Sequence, residues 1–126
     1  MSFNGWFSKT LYATTPRDPD PFFHPRSYQK TKDEVVQAAQ EVIRELPRWQ
    51  MEEYREKQGR ICAIRRSWWV GFVSEIDIYI VQGLDGVTRL EMTSQFHLGK
   101  GDWGQNRRNI REFLSKLDAR LAPLSA

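Results

Sequence analysis

The chain has 126 residues, the length of one domain, and its 40% of hydrophobic and 13% of aromatic residues supply enough apolar surface for one packed core. This composition excludes an intrinsically disordered protein. Nineteen basic and sixteen acidic residues leave a net charge of +3. Because no block of like charges occurs, the sequence does not predict nucleic acid as a partner.

The sequence contains few residues that bind metals or take part in redox chemistry. Cys62 is the only cysteine, which excludes an intramolecular disulfide, and the two histidines, His24 and His97, lie far apart in the chain. We therefore predict no bound metal and no cofactor. The sequence has no secretory signal and no apolar run of about 18 residues. This predicts a cytoplasmic, soluble protein, either free or at a membrane surface.

The first 30 residues predict an extended arm rich in aromatic residues and proline. Proline lacks a backbone N–H, which blocks a helix between Pro16 and Pro25, and residues 9–13 are suited to an edge strand. Two interpretations stay open: the arm wraps a protein partner, or it lies across its own domain. The partner interpretation makes Phe3, Trp6 and Phe7 the anchors.

Residues 31–46 predict the first helix. Thr31 and Glu34 have the spacing of a capping box, in which each side chain binds the backbone N–H of the other residue. Apolar residues then recur every three or four positions until Pro47 ends the helix. The apolar period then changes to two, which predicts antiparallel strands. We place these strands at 49–56, 60–67, 73–81 and 87–97.

A second amphipathic helix is predicted at residues 105–121. Its apolar residues need a common core with Ile76, Ile78 and Ile80 of the third strand. We therefore expect a single α+β domain over residues 1–126. In it, the extended arm (1–30) precedes a core (31–126) in which two helices pack on one face of an antiparallel meander of four to five strands.

Glycines before the second helix predict an anion site at its N-terminus, because free amides there bind phosphate or carboxylate groups. The residues assigned to this site are Asp102, Gly104, Asn106, Arg107 and Arg108. In the structural alternative, Asp102 caps the helix and the arginines pair with carboxylates of the sheet. Those carboxylates are Glu75, Asp77 and Glu91, and they form either a site of their own or a solvated face.

The same stretch resembles a known family. The pattern Gly99-x-x-Asp102-x-Gly104-x-Asn106-Arg107 is similar to the closing motif of DUF1499, a domain of unknown function from bacteria and plastids. Phe72-Val-Ser-Glu-Ile-Asp77 is similar to a second motif of that family. Asn109 stands where the closing motif has its last arginine. The resemblance implies no activity, and members from cyanobacteria and plastids imply a link to photosynthetic membranes.

Two adjacent tryptophans, Trp68 and Trp69, point to opposite faces of an extended segment. The pair is therefore either part of the core or leaves one tryptophan available as a partner anchor. We therefore predict a non-enzymatic binding or accessory module that docks on a larger protein assembly. One version is a peripheral subunit or assembly factor of a photosynthetic membrane complex. The alternative is a small-molecule or anion-binding protein, or an enzyme acting on such a molecule, with its site at Gly99–Arg108.

Overall fold

The computed structural model describes residues 11–67, 73–96 and 104–124. These residues contain two α-helices, α1 (Lys32–Glu45) and α2 (Gln105–Arg120). They also contain six strands: β1 (Leu11–Ala13), β2 (Arg26–Tyr28), β3 (Trp49–Arg55), β4 (Arg60–Arg66), β5 (Val73–Gln82) and β6 (Thr88–Phe96). The α+β class is confirmed. The sheet has six strands, one more than the largest number expected.

The strands form one antiparallel sheet in which β3 to β6 make the predicted meander. The additional strands, β1 and β2, both pair with the other edge of β6. Tyr12 lies opposite Ser94, and Arg26 lies opposite Leu90. Because β1 and β2 run along β6 in chain order, they act as one interrupted edge strand.

The hydrophobic core lies between the two helices and one face of this sheet. Ile76, Ile78 and Ile80 are at most 1% exposed, and Leu90 and Met92 of the neighbouring strand are fully buried. The predicted inward face of the meander is therefore confirmed. Burying a side chain of this size stabilises the fold by about 1.5–3 kcal/mol. A shift of one residue in register would turn all of these side chains to solvent, which explains why the register is well defined.

The first part of the chain packs on its own domain from Leu11 onwards. Residues 14–25 leave the sheet between β1 and β2 and cover the edge of the core, where Phe23 is fully buried. Arg26 then donates two hydrogen bonds to Asp118 of α2, at 3.0 and 2.8 Å. Between residues 11 and 28, the chain therefore lies across its own domain. The predicted anchors Phe3, Trp6 and Phe7 lie outside the described residues.

Candidate anion-binding site

An open cleft of about 660 Å³ lies where the N-terminal half of α2 adjoins the start of β3 and the end of β4. Its volume is within the range of about 300–1,000 Å³ that is usual for small-molecule sites. The described side chains that line it are all polar or charged: Arg48, Arg65, Ser67, Gln105, Arg108, Arg111, Glu112 and Ser115. We call this site the arginine cleft.

Positive charge is concentrated in the arginine cleft. Four of the nineteen basic residues and one of the sixteen acidic residues belong to its described lining. The remaining fifteen basic and fifteen acidic residues balance, so the described lining accounts for the formal net charge of +3. The sequence shows no sign of this concentration, because the arginines come from three separate segments of the chain.

Arg48 reaches the cleft from a strained turn. The N–H of Trp49 donates to the carbonyl of Leu46 at 3.3 Å, which closes a tight turn with Pro47 and Arg48 at its centre. Arg48 has a φ of 69°, a left-handed conformation that glycine or asparagine adopts more readily at this turn position. Such strain costs on the order of 1–3 kcal/mol. A non-glycine residue in this conformation is a frequent feature of functional sites.

Two cleft arginines, Arg48 and Arg111, have no carboxylate within salt-bridge distance among the residues that the structure describes. The guanidinium of Arg111 instead lies 5.1 Å from the ring centroids of Phe22 and Phe23. This contact orients the group without neutralising it. Elsewhere, ion pairs engage Arg26, Arg55, Arg60, Arg89, Arg107 and Arg120.

The carboxylate of Glu112 is fixed in the wall of the cleft. Its Oε1 accepts hydrogen bonds from the indole Nε1 of Trp49 at 2.8 Å and from Nε of Arg65 at 3.0 Å. The indole ring stacks on Phe113, with the ring centroids 5.9 Å apart. Glu112 therefore neutralises and positions Arg65, while its own position is set by the core.

The two adjacent arginines of α2 point in different directions, because successive residues of a helix do not share a face. Arg108 lines the cleft, and its Nη2 donates to Gln105 at 3.1 Å. Arg107 contacts the first part of the chain, where it lies 3.3 Å from Asp20 and donates to the hydroxyl of Tyr12 at 2.8 Å. The expected ion pair at the start of the helix is therefore present, but the expectation of a partner on the sheet was wrong for Arg107.

Asn106 holds α2 on the sheet. Both Asn106 and Asn109 are fully buried against Ser94 of β6. The Ser94 hydroxyl donates to Oδ1 of Asn106 at 2.8 Å and accepts from Nδ2 of Asn109 at 3.1 Å. The helix begins after Gly104, which is the N-cap with a φ of 79° and has no side chain to cap it. Among the five residues assigned to the anion site, Asp102 lies outside the described residues, and only Arg108 lines the cleft.

The carboxylates of the meander lie on the opposite face of the sheet from the helices. Asp77 pairs with Arg60 at 3.0 Å, and the strand register places Glu91 opposite Tyr79 rather than opposite another acid. None of Glu75, Asp77 and Glu91 lines the arginine cleft. Asp77 is therefore paired across strands.

Within the described ranges 11–67, 73–96 and 104–124, no group of three or more His, Cys, Asp and Glu side chains is placed to hold a metal ion. Neither helix there is long and apolar enough to cross a membrane. Trp68 and Trp69 lie outside these ranges, so their role as partner anchors stays a prediction.

The profile of the family described as "Protein of unknown function (DUF1499)" matches residues 6–117. The chain belongs to this family. Comparison with curated proteins gives no match. In this DUF1499 protein, Asn106 and Arg107 of the closing motif attach α2 to β6 and to the first part of the chain. Arg108 falls at a variable position of that motif and the other three cleft arginines lie outside it, so the resemblance alone does not identify them.

Proposed function

We propose that this DUF1499 protein binds an anionic ligand in the arginine cleft. The observation that supports the proposal most strongly is the charge of the described lining, which contains four arginines and one carboxylate. A guanidinium group offers two parallel N–H donors that match phosphate and carboxylate oxygens. A concave surface of one sign of charge also raises the local concentration of ligands of the opposite sign.

Contacts within the protein position parts of the cleft before any ligand arrives. Arg65 is held by Glu112, and Arg111 is held by the rings of Phe22 and Phe23. Arg48 sits on a turn closed by a backbone hydrogen bond. Side chains that are already ordered lose less conformational entropy on binding, which favours affinity.

The proposal is tested by titrating the full chain with pyrophosphate in an isothermal calorimeter. We expect saturable binding that the double variant Arg48→Gln, Arg111→Gln weakens by about 10-fold or more, because each charged hydrogen bond contributes roughly 1.5–3 kcal/mol. The control is the double variant Arg44→Gln, Arg66→Gln, which removes two exposed arginines outside the cleft and so makes the same charge change. Equal affinities for all three proteins, or no binding by the unaltered chain, would contradict the proposal.

A second candidate is the accessory module that docks on a larger protein assembly, including one in a photosynthetic membrane. It is favoured by the face of the sheet opposite the helices, where Tyr79 and Val81 are 37% and 58% exposed. A pull-down from the native source would test it with Trp68→Ala, Trp69→Ala as the variant. If the unaltered chain captures a partner that the variant does not, and the circular dichroism spectra of the two proteins are the same, docking through these tryptophans is supported.

A further inference from the structure

We infer that the ligand of the arginine cleft is a phosphorylated polyol, a molecule that carries hydroxyl groups as well as phosphate groups. The inference rests on the proposed function and deepens it. It starts from Glu112, the one carboxylate among the described residues of the lining.

The carboxylate of Glu112 has an oxygen available to a ligand. Both hydrogen bonds that described residues donate to Glu112 end on Oε1, and none ends on Oε2. The side chain is 28% exposed and lines the cleft. An ionised carboxylate is only an acceptor, so a ligand group that replaces water at Oε2 is a donor such as a hydroxyl.

The same carboxylate opposes a ligand that consists only of anionic groups. A like charge within a binding site lowers affinity, and such a charge is one way in which a site rejects unwanted ligands. Glu112 therefore selects for molecules in which a hydroxyl accompanies the phosphate. The arginines bind the phosphate groups, and Glu112 orients the hydroxyl-bearing part.

The rest of the lining matches a hydrophilic ligand. Ser115 and Gln105 stand among the charged residues, and the described lining includes no aromatic or aliphatic side chain. Small-molecule sites are usually lined mainly by apolar side chains. A sugar or an inositol ring can hydrogen-bond to polar side chains of this kind.

The size and charge of the cleft favour more than one phosphate group. A volume of about 660 Å³ exceeds the space that a single inorganic phosphate fills. Among the described residues of the lining, four guanidinium groups accompany one carboxylate, which suits a ligand with two phosphates. Such a molecule occurs free as a sugar bisphosphate or as the headgroup of a phosphorylated inositol lipid, and the two share the chemistry that the cleft recognises.

The experiment compares two ligands of similar span on the full chain by calorimetry. Fructose bisphosphate carries hydroxyl groups, whereas a linear alkanediol bisphosphate lacks them. We expect fructose bisphosphate to bind about 10-fold more tightly, because only this ligand donates to Glu112. The comparison uses the unaltered protein, so it does not depend on any variant folding.

Glu112→Gln then tests the assigned residue. The glutamine amide oxygen can still accept from Trp49 and Arg65, but the negative charge is lost. We expect the variant to bind the alkanediol bisphosphate more tightly than the unaltered chain does and to lose the preference for fructose bisphosphate. Glu53→Gln is the control, because Glu53 is an exposed carboxylate of β3 outside the cleft.

Vesicles separate the two sources of the ligand. The protein is floated with vesicles of phosphatidylcholine, with or without phosphatidylinositol bisphosphate. A lipid headgroup is the ligand if the protein floats only with the vesicles that contain the phosphoinositide and if free fructose bisphosphate competes with this binding. Equal affinity for the two soluble bisphosphates, unchanged in Glu112→Gln, would overturn the inference while leaving anion binding in place. Full affinity for both ligands after Arg48→Gln, Arg111→Gln would overturn the proposed function itself.

Discussion

The guanidinium of Arg107 lies 4.1 Å from the ring centroid of Phe23, which is fully buried. This cation–π contact joins the first turn of α2 to the segment between β1 and β2. Asp20 of that segment and the hydroxyl of Tyr12 in β1 bind the same guanidinium. Arg107 therefore closes the edge of the core, while Arg108, the next residue, serves the arginine cleft on another side of the helix.

The first prediction separates the roles of these two arginines. Arg107→Ala removes a cation–π contact of roughly 0.5–2 kcal/mol and the exposed ion pair with Asp20, which contributes about 0–1 kcal/mol. We expect a loss of about 1–3 kcal/mol in the free energy of unfolding, measured with urea, and an unchanged affinity for pyrophosphate. Arg108→Ala should give the opposite pattern. A loss of anion affinity in Arg107→Ala without a loss of stability would show that the roles are assigned wrongly.

The second prediction concerns the buried hydroxyl of Ser94. Ser94→Ala leaves Oδ1 of Asn106 and Nδ2 of Asn109 without this shared partner in a fully buried site. A buried polar group that loses its partner costs about 1–3 kcal/mol, so we expect a loss of at least that size in the free energy of unfolding. Thr93→Ala, on the other face of the same strand, is the control. Equal losses in both variants would mean that the buried polar cluster adds no stability.

Local patterns predicted much of the fold. The capping box of Thr31 and Glu34 is present at the start of α1, and the period of two in β5 buries Ile76, Ile78 and Ile80 as expected. Each of these features depends on residues close together in the sequence. A hydrophobic period therefore predicts an element and its inward face before the tertiary structure is known.

Features that depend on distant residues were not predicted. β2 has three residues, too few to establish a period, and it forms because β6 has a free edge beside it. The arginine cleft is assembled from a turn, a strand and a helix, so Arg48, Arg65 and Arg111 gave no common pattern. The proline before Arg48 was one local signal, because it favours a turn whose next residue has a positive φ.

The third prediction is a dependence of stability on acidic pH through Asp18. The hydroxyl of Tyr12 and the backbone N–H of Asp20 donate to the Asp18 carboxylate and lower its pKa below the ordinary value of 3.8. A lowered pKa in the folded state means that the stabilisation is present above the unfolded pKa and is lost as pH falls through the folded pKa. Asp18→Asn should therefore reduce the fall in stability below about pH 4.

Tyr12→Phe tests whether the Tyr12 hydroxyl causes the lowered pKa of Asp18. Without the phenol hydroxyl, the pKa of Asp18 should move towards its ordinary value, because the strongest hydrogen bond to the carboxylate is absent. The pKa is measured by NMR titration of the Asp18 carboxyl carbon in both proteins. An identical pKa in the two proteins would exclude the hydroxyl as the cause.

The last prediction uses the strain at Arg48 to separate stability from binding. Arg48→Gly removes a guanidinium from the cleft and also relieves a left-handed φ of 69°. Relief of such strain is worth about 1–3 kcal/mol, partly offset by the greater backbone entropy that glycine has in the unfolded chain. We expect an unfolding free energy that is equal to or higher than that of the unaltered chain, together with weaker binding of pyrophosphate.

Arg48→Ala is the matched control, because it removes the same charge and keeps the strain. The alanine variant should bind as weakly as the glycine variant and be the less stable of the two. Unchanged affinity in both variants would remove Arg48 from the cleft's binding residues, and equal stability would show that its turn holds no measurable strain.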